Sequence, residues 1–149
     1  GDPSGSVLWA ALGYPPLAVT VPVPVSECDH VPEALSGYKE SGTDTFCGLS
    51  LYLKQYVFGT AEVSNRGKYA DLRLVLGDTA YSRAALKCCR EAEAVIRETF
   101  EKLYSGYVSG KTGLQEYLDG YDRAASGFFD IYAAAFDDYI DWSGPLTVR

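Results

Sequence analysis

The sequence predicts an α+β domain, in which a small antiparallel β-sheet packs against a C-terminal antiparallel helical hairpin. Residues 1–77 contain short apolar or alternating runs interrupted by Pro, Gly and Ser, a pattern typical of strands and loops. Residues 78–142 instead repeat apolar side chains at helical spacing, which predicts two long helices. The length of 149 residues fits a single domain that spans 1–149.

Two strands are predicted near the N-terminus. The run "SVLWAAL" at 6–12 is apolar enough for a short buried strand. The run "LAVTVPVPV" at 17–25 alternates, but Pro22 and Pro24 each lack the N–H group that a sheet ladder uses. Because both prolines lie on the same side of the alternation, the other side can still pair, which is typical of an edge strand.

Further strands are predicted in the middle of the chain. In "CGLSLYLKQYVF" at 47–58, leucine recurs at every second position, which is the period of a half-buried strand. The turn-forming stretch "SNRGK" at 64–68 precedes "YADLRLVL" at 69–76, so residues 56–76 are expected to form a β-hairpin. The polar segment 26–46 is expected to be a long loop.

The second half of the chain predicts two helices joined by the Gly-containing connection at 105–110. Oppositely charged residues lie four positions apart in the first helix, as Glu93–Arg97 and Glu98–Lys102. Its predicted buried stripe comprises Tyr81, Ala85, Cys88, Ala92, Val95, Ile96, Thr99, Phe100 and Leu103. The stripe of the last helix comprises Leu114, Leu118, Tyr121, Ala125, Phe129, Tyr132, Phe136 and Ile140. The short connection predicts an antiparallel αα-hairpin.

The four cysteines are expected to form two disulfides that pin the N-terminal half to the first long helix. Adjacent helix residues point about 100° apart, so Cys88 and Cys89 need separate partners. The other two, Cys28 and Cys47, lie at the ends of the predicted loop, and the connectivity stays open. Disulfides imply an extracellular or cell-surface location. The alternatives are free buried thiols and a zinc site, which usually shows Cys-x-x-Cys pairs that this chain lacks.

Charge and composition argue against several classes of partner. The formal net charge is −7, and the 13 Lys and Arg residues include no adjacent pair, whereas nucleic-acid binding needs a basic surface. No apolar run reaches the roughly 20 residues that span a bilayer, so no membrane insertion is expected. The sequence contains no P-loop and no Gly-x-Gly-x-x-Gly, and no cofactor or metal is expected.

Candidate catalytic groups are few. His30 is the one histidine, so a Cys–His pair would join it to Cys47, with Asp29 or Asp44 orienting the ring. No Gly-x-Ser-x-Gly motif is present. The last helix places three aspartates on one face, namely Asp130, Asp137 and Asp141. They offer a divalent-cation patch or a glycosidase-like pair, although a solvated face is the simpler interpretation.

The chain is therefore expected to be a secreted or surface-displayed recognition domain that binds a protein partner, rather than an enzyme. Its 12 tyrosines are many for this length, and exposed tyrosine supplies contact area at interfaces. The candidate interaction surface comprises His30, Tyr38, Tyr117, Phe128 and Tyr139. The alternatives are a carrier of a small apolar ligand held between sheet and helices, and a small secreted hydrolase that uses His30 or the acidic residues.

Overall fold

The computed structural model describes residues 7–25, 35, 45–58, 80–141, 143 and 147–148. Its elements are β1 Val7–Ala11, a 3-10 helix Pro15–Leu17, β2 Thr20–Pro24, α1 Phe46–Phe58, α2 Ala80–Val108, α3 Leu114–Ser126, α4 Phe128–Ala134, β3 Ile140–Asp141 and β4 Thr147–Val148. Small antiparallel sheets together with helices confirm the predicted α+β class. From residue 59 onward the predicted β-hairpin lies outside the described residues, as does most of the predicted loop 26–46.

The two predicted N-terminal strands are confirmed and pair with each other as β1 and β2. Their antiparallel register places Leu8 opposite Val23 and Ala10 opposite Val21. Among the described strands, β2 has a strand partner on one side only, as its prolines predict. Helices cover its other side, and all of β2 after Thr20 is buried. The side of β2 that has no partner among the described strands therefore packs against helices and is not exposed to solvent.

Residues 46–58 form helix α1, so the strand predicted at 47–58 is wrong. The buried residues of this helix recur at intervals of three and four, and they are Phe46, Leu49, Ser50, Leu53 and Lys54. Leu51, which belongs to the alternating leucines, is 38% exposed. The alternation was misleading because two of the inward positions carry polar residues, which a hydrophobicity pattern counts as outward.

The first predicted long helix is confirmed as α2. Both predicted ion pairs form within it, at 3.8 Å for Glu93–Arg97 and at 2.8 Å for Glu98–Lys102. Tyr81 of the predicted stripe is outside the side chains that the structure describes, and the buried ones within 83–108 are Ala85, Cys88, Cys89, Ala92, Ile96 and Phe100. Val95, which was expected to be buried, is exposed. The inward face of α2 is therefore narrower than the stripe predicted from the sequence.

A Schellman turn ends α2 and reverses the chain into α3. The Lys111 N–H donates to the Gly106 carbonyl and the Gly110 N–H donates to the Tyr107 carbonyl, both at 3.0 Å. Gly110 has a φ of +72°, which glycine adopts without the steric cost that a Cβ brings. Because α2 and α3 pack against each other across this turn, the predicted antiparallel αα-hairpin is confirmed.

The last predicted helix is in fact two helices, because α3 ends at Ser126 and α4 begins at Phe128. The Gly127 N–H donates to the Ala124 carbonyl at 3.0 Å, which tightens the final turn of α3. Helical spacing of the buried residues continues across this break, through Tyr117, Gly120, Tyr121, Ala125, Phe128, Tyr132, Phe136 and Ile140. The prediction of one uninterrupted helix is therefore wrong, although most of its inward face is correct.

The core lies between the β1–β2 sheet and the helices, and large aromatic side chains dominate it. The fully buried aromatic residues are Phe46, Phe100, Tyr117, Tyr121, Phe128, Tyr132 and Phe136. Phe46 of α1 stacks on Tyr132 of α4 with 5.9 Å between the ring centroids. Aromatic burial of this kind explains why the chain contains so much tyrosine and phenylalanine.

Candidate functional site

The residues predicted to form an interaction surface do not come together at the surface. Tyr117 is 1% exposed and Phe128 is 0% exposed, so both belong to the core. Each lies on the inward face of its helix. Tyr139 is half-buried, and His30 and Tyr38 lie outside the described residues.

Cys47, Cys88 and Cys89 are free thiols, so the two predicted disulfides are not found among the described residues. The fourth cysteine, Cys28, lies outside them. Cys88 and Cys89 are both buried in the core on α2, where they pack as small apolar side chains do. The extracellular or cell-surface location depended on the disulfides, and it stays a prediction.

The Leu17 carbonyl, which precedes β2, accepts two side-chain hydrogen bonds. The Cys89 thiol donates to it at 3.4 Å, and the Tyr132 hydroxyl also donates to it. Burial, with the neighbouring Cys88 as the second cause, raises the pKa of Cys89 to about 12. Burial likewise raises the pKa of Tyr132 well above its ordinary value. Both groups are therefore protonated donors at neutral pH, and Cys89 is unsuited to nucleophilic chemistry.

The buried Cys89 thiol makes the folded protein sensitive to alkali. Because the pKa of Cys89 rises from 9.0 to about 12 on folding, only the unfolded chain ionises this thiol between these two pH values. Its contribution to stability is complete below pH 9 and is lost as the pH rises toward 12. We expect the free energy of unfolding to fall by up to about 1.4 kcal/mol per pH unit in this range, as measured by urea unfolding.

The variant Cys89→Ala removes this titration and should flatten the dependence of stability on pH just above pH 9, whatever its effect at neutral pH. Some dependence will remain, because burial and then Glu91 also raise the pKa of Cys88. Ionisation of Tyr132 in the unfolded chain adds to the pH dependence of stability only above the ordinary pKa of tyrosine, 10.0. An unchanged slope in Cys89→Ala would contradict the assignment to this thiol.

Side chains of α2 and α3 also form hydrogen bonds to backbone groups at the outer edge of β2. The Thr20 N–H donates to the Glu93 carboxylate at 3.0 Å, and the Tyr121 hydroxyl donates to the Pro22 carbonyl at 2.8 Å. Tyrosine suits this position because its ring fills the core while its hydroxyl satisfies a buried backbone carbonyl. Tyr121 lies 99 positions from Pro22, so no local sequence signal could have revealed the pair.

A buried polar cluster lies where the segment after β1 meets α1, and the sequence did not reveal it. Lys54 is 1% exposed, and its Nζ lies 5.5 Å from the centroid of the Tyr14 ring, a cation–π arrangement. The fully buried Ser50 hydroxyl accepts from the Tyr14 N–H at 2.8 Å and donates to the Cys47 carbonyl at 3.0 Å. With both bonds made and no exposure to solvent, Ser50 joins two segments and is not placed as a nucleophile.

The exposed side of α3 and α4 is strongly acidic. Residues 114–141 hold seven acidic side chains and one basic side chain, which gives a formal net charge of −6 out of −7 for the whole chain. By contrast, α2 holds five basic and four acidic residues. We define the acidic surface as the six exposed acidic residues Glu116, Asp119, Asp122, Asp130, Asp137 and Asp138.

Exposed apolar side chains lie at the turn between α2 and α3, just before the segment that carries the acidic surface. Val108 ends α2 and Leu114 begins α3, and they are 52% and 45% exposed. Beside Val108, the half-buried Tyr107 stacks on Tyr117 with 4.7 Å between the ring centroids. Leu114 precedes Glu116, the first member of the acidic surface, by two residues, so the two lie at the same end of α3 but point in nearly opposite directions. We define the hairpin tip as the turn from Val108 to Leu114.

The other chemistry considered from the sequence is not assembled in the described part of the chain. No three His, Cys, Asp or Glu side chains there are arranged as metal ligands, and Asp130 and Asp137 are both exposed. Cys47 lies in the first turn of α1, whereas its predicted partner His30 lies outside the described ranges. Where a carrier would hold its ligand, the side chains of Phe100 and Tyr121 pack between sheet and helices.

No helix within the described ranges is both long and apolar enough to cross a membrane. The features that remain for a functional argument are the acidic surface, the hairpin tip and the edges of the β1–β2 sheet. The chain matches no protein-family model, no curated protein and no solved structure, so these features carry the argument alone.

Proposed function

We propose that the protein is a non-enzymatic recognition domain that binds a protein partner through the acidic surface and the hairpin tip. The partner that fits carries basic side chains beside an apolar one. The observation that carries the proposal is the concentration of a net charge of −6 in residues 114–141, with the exposed side chains of Val108 and Leu114 at the turn where this segment begins.

Each feature has a separate role in such binding. Opposite charges steer two proteins together and select the partner, whereas apolar side chains at the centre of a contact supply affinity. The inward residues Tyr117 and Tyr121 hold α3 against the core, so its outer face is presented on a rigid element. A rigid surface loses little conformational entropy when it binds.

The proposal is tested by selecting binders to the immobilised full chain from a displayed library of random short peptides. We expect the selected peptides to carry Lys or Arg close to an aliphatic or aromatic residue. Their affinity should fall when the salt concentration rises from about 0.15 M to about 0.5 M, since the charges are screened. The double variant Asp119→Asn with Asp122→Asn should weaken binding by roughly fivefold or more.

A matched control is available on α2. The double variant Glu98→Gln with Glu101→Gln changes the net charge equally, at exposed positions outside the acidic surface. It should leave the affinity within about twofold, whereas Leu114→Ser should reduce it. Selected peptides without basic residues, or equal losses in the two double variants, would refute the proposal.

A further inference from the structure

Within the described ranges, side chains of α2 and α3 form hydrogen bonds to the outer edge of β2, whereas no strand pairs with the outer edge of β1. On β2, the Thr20 N–H and the Pro22 carbonyl point away from β1, because they bond to side chains of α2 and α3. Alternate residues of a strand direct their backbone groups to opposite sides. The residues of β2 whose backbone N–H and C=O groups point toward β1 are therefore Val21 and Val23.

The register then identifies which backbone groups of β1 point outward. Val21 and Val23 lie opposite Ala10 and Leu8, so these two residues of β1 direct their N–H and C=O groups toward β2. The other three residues of the strand direct theirs to the opposite side, and they are Val7, Trp9 and Ala11. No described strand pairs with that side of β1.

The outer edge of β1 also lacks the features that usually keep strands of different molecules from pairing. Those features are charged side chains, proline and β-bulges. The strand Val7–Ala11 reads "VLWAA", without charge or proline, and its register with β2 is regular throughout. Leu8 is 54% exposed and Ala11 is also exposed, so solvent reaches the strand. Three backbone donors and three acceptors are thus directed toward a further strand.

We propose that this edge binds a second copy of the chain, with the two β1 strands antiparallel. A twofold axis at Trp9 places the two Trp9 residues opposite each other and Val7 opposite Ala11 of the other copy. Each outward N–H then meets an outward carbonyl, since an antiparallel pair of this kind is self-complementary. The product is a four-stranded sheet in the order β2–β1–β1–β2.

The distribution of charge keeps the repulsion between two copies small at this edge, which suits a second copy as the occupant. The strand itself is uncharged, so pairing brings no like charges together within the sheet. Helix α3, which carries half of the acidic surface, lies at the β2 edge, because Tyr121 bonds to Pro22 there. The most acidic part of one copy is therefore on the far side of its sheet from the other copy.

Two five-residue strands form a small contact, so the dimer should be weak. Stable interfaces bury about 1,200–2,000 Å² in total, and we expect a dissociation constant of roughly 0.1–1 mM for this contact. Each copy has a formal net charge of −7, so added salt should strengthen the dimer. A basic partner on the acidic surface responds to salt in the opposite direction, which separates the two proposals.

Sedimentation velocity of the full chain from about 10 μM to about 1 mM tests the proposal. We expect the weight-average mass to rise from 16.2 kDa toward twice that value. Hydrogen exchange should slow at high concentration for the outward amides Val7, Trp9 and Ala11, and stay unchanged for Leu8 and Ala10. These amides distinguish pairing at the β1 edge from association elsewhere.

Ala11→Lys places a charge on the edge and should abolish the rise in mass. Ala94→Lys, at an exposed position of α2, makes the same change in net charge and should leave the rise intact. A mass of 16.2 kDa at every concentration would overturn the proposal. So would a dimer that survives Ala11→Lys, or one that leaves the exchange of the outward amides unchanged.

Discussion

Gly13→Ala is expected to lower the free energy of unfolding by at least about 3 kcal/mol. Gly13 has a φ of +108°, a conformation that residues with a Cβ adopt only under strain. The added Cβ would lie 2.1 Å from the Ser50 Oγ and 2.8 Å from the Cys47 Cα. A side-chain oxygen can rotate away, but the Cys47 Cα belongs to the backbone of α1. The segment after β1 and α1 must therefore move apart.

Two measurements distinguish this movement from backbone strain alone. Separation breaks the hydrogen bond from the Tyr14 N–H to Ser50, so amide exchange at Tyr14 should accelerate along with the loss of stability in urea. The matched control is Gly110→Ala, where φ is also positive, at +72°, but no atom lies within 4 Å of the added Cβ. It should cost only about 1–2 kcal/mol. Equal losses in the two variants would contradict the steric argument.

Phe100→Ala is expected to lower the free energy of unfolding by about 3–5 kcal/mol, because it leaves a cavity where β1, α2 and α3 meet. The Phe100 ring is 2% exposed. It stacks on Tyr104 with 5.5 Å between centroids, and its edge contacts Trp9 at 5.8 Å and Tyr121 at 6.2 Å. Such ring pairs add roughly 0.5–1.5 kcal/mol each beyond burial, so the loss should exceed that of an isolated phenylalanine. Urea unfolding measures it.

Phe129→Ala provides the comparison for this loss. Phe129 is half-buried and packs edge-on against Phe46, so the same deletion should cost clearly less than at Phe100. If Phe100→Ala is too unstable to study, Phe100→Leu keeps most of the volume and loses the ring contacts. A cost for Phe100→Leu below about 0.5 kcal/mol would show that the aromatic contacts matter little.

Helix α2 could be predicted because its signals are local, although it continues to Val108, inside the connection predicted at 105–110. The ion pairs Glu93–Arg97 and Glu98–Lys102 lie one helical turn apart, and a sequence shows such spacing directly. Gly110 likewise marks the end of the helix at the position where a left-handed residue is required. In each case the interacting groups are within six residues of one another.

Helix α1 could not be predicted in the same way, because its buried face includes polar residues. Lys54 and Ser50 are enclosed through their contacts with Tyr14, which lies more than thirty residues earlier in the chain. With these two positions counted as outward, the alternation of the leucines resembles a strand. The period became recognisable only once the tertiary contacts had shown which side chains are buried.

Little of the candidate site could be predicted either. Asp130 and Asp137 are exposed, as the interpretation of a solvated face predicts, and both belong to the acidic surface, whereas the side chain of Asp141 lies outside the described ones. Tyr117 and Phe128 were expected at the surface, yet they lie in the core, because both fall on the inward stripe that runs through α3 and α4. The open edge of β1 follows from register and hydrogen bonding, which a sequence does not display.

The sequence by itself determined the features that depend only on residues close together in the chain. They include the strands β1 and β2, the prolines that limit β2 to one strand partner, the helix α2 and the acidic charge of residues 114–141. Only the tertiary structure decided that Cys88 and Cys89 are buried thiols, and that Tyr121 and Tyr132 form hydrogen bonds from distant helices to β2 and to the segment before it. The physical reason is that hydrogen bonds such as the one from Tyr132 to Leu17 join residues up to 115 positions apart, and such pairing leaves no periodic trace in the chain.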